Sequence, residues 1–150
     1  MDDRHAGDPL ALPIPVHIAD QFSLRYHVAL ESMKAGKGNA AAAQALLEMI
    51  MAAGLLVDCG HGRLEHVQTR EAERALAIAC QQALQSSLWK LSADGFDALC
   101  AVITEHDSQL GSAKAADTLR VLEQVGELSR WASITVSENG KGAAHRRRYK

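Results

Sequence analysis

The run AAAAQALLEMIMAAGLLV, from Ala40 to Val57, decides the fold. Only Gln44 and Glu48 are polar in it, and residues four apart share one side of a helix. A helix so apolar around the rest of its circumference has to be buried, in a protein core or in lipid. Its unbroken apolar stretch after Glu48 runs only from Met49 to Val57, short of the about 20 residues a bilayer requires. We therefore expect the central helix of a bundle, covered by the apolar faces of its neighbours.

Working outward on the N-terminal side, Ile18, Phe22, Tyr26, Ala29 and Met33 follow the 3–4 spacing of a buried stripe. They predict a first helix from about Val16–Asp20 to Lys34 or Ala35. Gly36 or Gly38 suits a left-handed C-terminal cap, and Asn39 is a good N-cap for the central helix. So short a link makes the two helices antiparallel neighbours. All three prolines lie in the first 15 residues. Pro13 and Pro15 push the residues before them toward extended geometry, so residues 1–15 are expected to form an extended arm. Alternation then sets Leu10, Leu12, Ile14 and Val16 on one side, as a candidate partner-binding surface or a strip packed on the protein's own bundle.

On the C-terminal side, Asp58-Cys-Gly-His-Gly breaks the pattern. A third helix is expected from about Leu64 to Leu91, highly charged at first and then apolar along Leu76, Cys80, Ala83/Leu84 and Leu88. A fourth, from about Asp94 to Leu110, carries Phe96, Leu99, Cys100, Ile103, His106/Asp107 and Leu110. A fifth, from about Ser112 to Trp131, is expected to bury Ala115, Leu119, Leu122, Val125 and Gly126 and to expose Asp117 and Arg120. Residues 133–137 could be a short extended piece, and disorder is expected from Glu138 onward. The predicted fold is all-α: a five-helix bundle over 16–137, an N-terminal arm and a basic tail over 138–150.

Composition agrees. Alanine and leucine dominate a 47% hydrophobic chain of 150 residues in which aromatics are only 4%, a helix-forming make-up fitting one domain. Three cysteines cannot all pair, and Cys80 and Cys100 read as small core residues in a reducing compartment. The start MDDRH has no basic-then-apolar signal, so a cytoplasmic protein is expected. The net charge of −2 divides into +4 from Glu138 to Lys150 and −6 over the rest. An acidic body with a short basic tail does not fit a protein whose whole surface grips nucleic acid.

Few residues offer chemistry. Cys59, His61 and His66 are of zinc-ligand type, but they are three, without the paired spacing of a structural zinc site. Cys59 with His61 or His66 is also the pair from which a thiol nucleophile and its base would come, with no third, orienting group at a recognisable position. Gly36-Lys-Gly-Asn lacks the length and the Ser/Thr of a phosphate loop. No catalytic residue and no cofactor is assigned. Arg146, Arg147, Arg148 and Lys150 are candidates for contacting nucleic-acid phosphates.

Gly38-Asn39 followed by Ala40–Ala43, Gln44, Ala45 and Leu46 resembles the start of the helix-turn-helix in Fis-type regulators, where Gly-Asn precedes a short alanine-rich helix ending in leucine. The resemblance covers Gly38–Leu46 and implies a DNA-binding regulator. Glu48 stands where an apolar residue should follow the turn, and no turn signal appears before Gly54, so no base-reading residue carries over. A second stretch, Gly111–Val121, is similar to a first motif helix but has Arg120 in place of the turn glycine. The expected function is a non-enzymatic bacterial regulatory or protein-interaction module that binds a protein partner or itself, with a homodimer as one form. A DNA-binding regulator acting through the tail is the alternative.

Overall fold

The computed structural model describes the backbone of residues 7–146 and the side chains of residues 7–130. Five α-helices follow a single 3-10 turn at Pro9–Ala11: α1 (Val16–Lys34), α2 (Ala40–Asp58), α3 (His66–Ser86), α4 (Ala93–Ser112) and α5 (Ala115–Arg146). The fold is all-α, and α2 is its centre, packed against each of the other four helices. The Asn39 side chain caps it by accepting from the Ala42 N–H at 2.8 Å. Met33, Leu46, Met49 and Leu99 are fully buried where α1, α2 and α4 meet, each worth about 1.5–3 kcal/mol relative to exposure. By length and composition alone Ala40–Asp58 could also cross a membrane. In the bundle eight of its residues, among them Leu46, Met49, Ile50 and Leu56, are buried by protein, and Leu47, Met51, Leu55 and Val57 are half-buried.

Gln44 and Glu48 are the seam of α2 rather than a solvent-facing strip. Arg25 of α1 donates to Glu48 Oε2 at 3.2 Å, and Ser129 of α5 donates to Glu48 Oε1 at 3.2 Å. The Gln44 amide donates to Ser129 Oγ and, at 3.5 Å, to Glu48. A carboxylate that would be costly to bury alone thereby joins three helices. The segment resembling a helix-turn-helix is one uninterrupted helix, with no turn between Leu46 and Gly54.

Elsewhere the structure moves several expected boundaries. α3 stops at Ser86 because Ser87 takes the left-handed conformation, with φ of 60°. Within α3 the buried face is Ala72, Leu76, Ala79 and Ala83, so Leu84 is left 84% exposed, and Leu88, beyond the helix end, is half exposed. The chain then doubles back along the α1–α2 link. The Leu91 N–H bonds to the Met33 carbonyl at 2.9 Å, and the Gly38 N–H to the Trp89 carbonyl at 3.3 Å. A Cβ at Gly38 would collide with Met33 and crowd Trp89, so only glycine allows that approach.

Within its described side chains, the buried stripe of α5 is Ala115, Thr118, Val121 and Val125, one residue away from the expected Leu119 and Leu122. Small and β-branched side chains let α5 lie close against Ala52 and Leu56 of α2, and Leu119 turns outward. Its backbone also continues as helix to Arg146, through the stretch where an extended piece and then disorder were expected. The arm is not uniformly extended either. The turn at Pro9–Ala11 breaks the alternation, so only Ile14 is buried, against Leu110 and Ala115, while Leu10, Leu12 and Val16 face solvent.

Candidate functional site

The polar side chains gather where the end of α2 meets α4 and α5. Helix α2 closes with a Schellman arrangement: the Gly60 N–H bonds to the Val57 carbonyl and the His61 N–H to the Leu56 carbonyl, both at 2.9 Å. Gly60 has the positive φ this requires, 90°. Gly62 follows with φ of 82°, pressed so closely on Glu105 and Gln109 of α4 that a Cβ would strike both. The Arg63 N–H donates to Glu105 Oε1 at 2.7 Å. The glycine-rich loop is therefore clamped to α4, and it presents Cys59 and His61 toward α5.

On that side His61 Nε2 bonds to Asp117 Oδ2 at 2.8 Å, and Arg120 donates to Asp117 Oδ1 at 2.9 Å. Arg120 also reaches Cys59 Sγ at 3.6 Å, a long contact to a soft acceptor. The His61 ring N–H holds the Asp117 carboxyl below its ordinary range, and the Arg120 charge adds to this. No hydrogen bond joins the Cys59 thiol to His61 among the described residues, and the neighbour of the thiol is the Arg120 guanidinium.

Beneath the loop lies a buried polar relay. Gln109 donates its amide to the Ala53 and His61 carbonyls, both at 3.0 Å, and its carbonyl oxygen faces His106 Nδ1 at 3.0 Å. Because the Gln109 nitrogen is already a donor twice over, its oxygen is an acceptor, and His106 must donate from Nδ1. His106 is fully buried, its ring against Tyr26 at a centroid distance of 5.6 Å. Its Nε2 has no hydrogen-bond partner. Burial lowers its pKa, outweighing the Gln109 bond and the nearby Asp107 charge, and keeps the ring neutral. His106, which lies on the expected apolar stripe of α4, is thus a half-satisfied core residue.

A third cluster joins α1 to α4. Ser23 donates to Asp107 Oδ1 at 2.8 Å and His27 Nε2 bonds to Asp107 Oδ2 at 2.7 Å. Hydroxyl and imidazole both address the carboxylate, which is not the hydroxyl-to-imidazole arrangement that activates a serine.

The candidate ligands Cys59, His61 and His66 do not converge. His66 opens α3 and lines a separate depression with Met51, Asp58 and Glu73. Among the described residues no group of three His, Cys, Asp or Glu side chains is placed to hold a metal ion. Arg147, Arg148 and Lys150 lie outside the described residues, as does the side chain of Arg146. Asp107, Gln109, Asp117 and Arg120 carried no signal in the sequence because the partners that tie them to other elements stand 48 to 84 residues away in the chain. No motif spacing signals contacts of that range. No family model, no curated protein and no solved structure matches the chain.

Proposed function

We propose that the protein is a non-enzymatic, cytoplasmic regulatory or protein-interaction module that meets its partner through the N-terminal arm. One observation carries this reading: the arm is fixed in place while its apolar side chains point out. The Leu12 carbonyl accepts from the Ala115 N–H at 2.7 Å, and Ile14 is buried beneath it. Yet Leu12 is 61% and Val16 76% exposed. A rigid backbone that presents apolar groups to water loses little entropy when a partner covers them. Leu119 is also exposed, one turn beyond Ala115 on the helix against which the Pro9–Ala11 turn packs. The polar clusters support the same reading, since each ties elements together: Glu48 joins α1, α2 and α5, Asp107 joins α1 to α4, and Asp117 joins the loop to α5.

A photo-crosslinking residue at position 12 or 16 tests the reading in living cells, with the same residue at the isolated, exposed Leu84 as control. Discrete adducts from the arm positions, either of the protein with itself or with one other protein, are the expected result. Adducts equally frequent from position 84, or none from 12 and 16, would overturn it.

A further inference from the structure

On a different face, between α2 and α3, lies a half-open cavity of ≈ 320 Å³. It exists because the two helices meet there through alanine: Ala40 and Ala43 on α2 look across to Ala77 on α3. Leu47, Leu76 and Cys80 complete an apolar lining, joined by Trp89 where the chain doubles back. Two polar groups line it. Glu73 is exposed and has neither a hydrogen bond nor an ion pair among the described residues. Gln44 commits its amide nitrogen to Ser129 and Glu48, which leaves its carbonyl oxygen as an acceptor. Among the described residues no lysine or arginine lines the cavity.

The chemistry of this lining is one-sided. It offers a carboxylate, an amide oxygen and an aromatic ring, all of which attract positive charge, beside side chains that attract apolar surface. The volume matches the lower end of small-molecule sites and is too small for a protein element. We propose that the cavity binds a small amphiphilic cation, with a flat apolar body against Leu47, Leu76, Cys80 and Trp89 and a protonated amine at Glu73. This site is independent of the arm and stands or falls separately from it.

Calorimetry on the full chain with three probes of one shape tests the proposal: 2-naphthylmethylamine, 2-naphthylmethanol and 2-naphthoate. The amine is expected to bind about fivefold more tightly than the alcohol and about tenfold or more above the carboxylate. Glu73→Gln should bring the amine down to the level of the alcohol and leave the alcohol unchanged. Its exposed position means folding is not at stake. Ala77→Phe should abolish binding of all three with helix content preserved, and saturating amine should protect Cys80 from N-ethylmaleimide. Equal binding of amine and carboxylate, an unaltered preference in Glu73→Gln, or a Cys80 that reacts at the same rate with and without amine would each overturn the assignment.

Discussion

At the scale of single residues, Gln109 does the most to unify the molecule, since one amide holds the α2 terminus, the loop and His106 together. Gln109→Leu leaves the His106 N–H and the His61 carbonyl without their partner, and should cost about 2–4 kcal/mol in denaturant unfolding. Removing both members is gentler: His106→Leu combined with Gln109→Leu should recover a large part of that loss, a coupling that a double-mutant cycle measures. His106 also sets a pH dependence. Its folded pKa lies below the ordinary 6.5, so as pH falls below 6.5 the unfolded chain takes up a proton that the folded chain refuses. Its contribution is full above 6.5 and declines by up to about 1.4 kcal/mol per pH unit until the folded pKa is reached. His106→Leu should flatten that slope. The Asp117 window is separate, beginning only as pH falls below 3.8. Thr118 offers the opposite case. Its hydroxyl is buried with no partner, so Thr118→Val should stabilise the protein by about 1 kcal/mol.

At the scale of elements, the ends of the helices hold the clearest test. Ser87 caps α3 in the left-handed region, with φ of 60°, where a side chain is strained and glycine is not. Ser87→Gly should raise stability by about 0.5–1 kcal/mol, visible as a Tm increase of about 2–4 °C. The same residue shows why the sequence is legible in one place and opaque in another. The first, second and fourth helices are readable because their apolar runs or stripes are bounded by Gly36, Asn39, Gly60 or the Ser92 cap, although α4 runs through Gly111 to Ser112, past the expected end at Leu110. In α3 that period continues through Leu84 and Leu88 while the helix ends, because a serine in a glycine's conformation carries no signature. In α5, Leu119 and Thr118 are successive residues about 100° apart around the helix, and hydrophobicity alone favours turning the leucine inward. The close approach of Ala52 and Leu56 favours the smaller side chain, and only the packed structure reveals that preference. The arm fails for a related reason: alternation assumes an extended chain, and three residues of 3-10 turn are enough to rotate Leu10 and Leu12 away from Ile14.

At the scale of the whole molecule, the helices are unequally held. Helices α1 to α4 share one continuous core that includes Tyr26, Met33, Leu46, Met49 and Leu99, whereas Val121 and Val125 of α5 belong to a smaller cluster with Ala52, Leu56 and Ala113. Within its described side chains α5 buries only Ala115, Thr118, Val121 and Val125. Small buried side chains contribute little apolar area, so polar contacts carry a larger share of its attachment. Among the described residues those contacts include two stations, Asp117 and Arg120 on the loop and Ser129 on the Gln44–Glu48 seam. The amides of Ala115–Arg130 should therefore exchange with deuterium through a local opening that leaves α2 and α4 closed, since elements with few apolar contacts open first. His61→Ala and Asp117→Asn each cut the first station. Either should speed exchange in the first turns of α5 several-fold and leave the α1 and α4 amides unchanged. If α5 exchanged together with α2 in the wild type, and both variants accelerated all helices alike, the bundle would be a single cooperative unit, and the loop latch would have no separate role in holding α5.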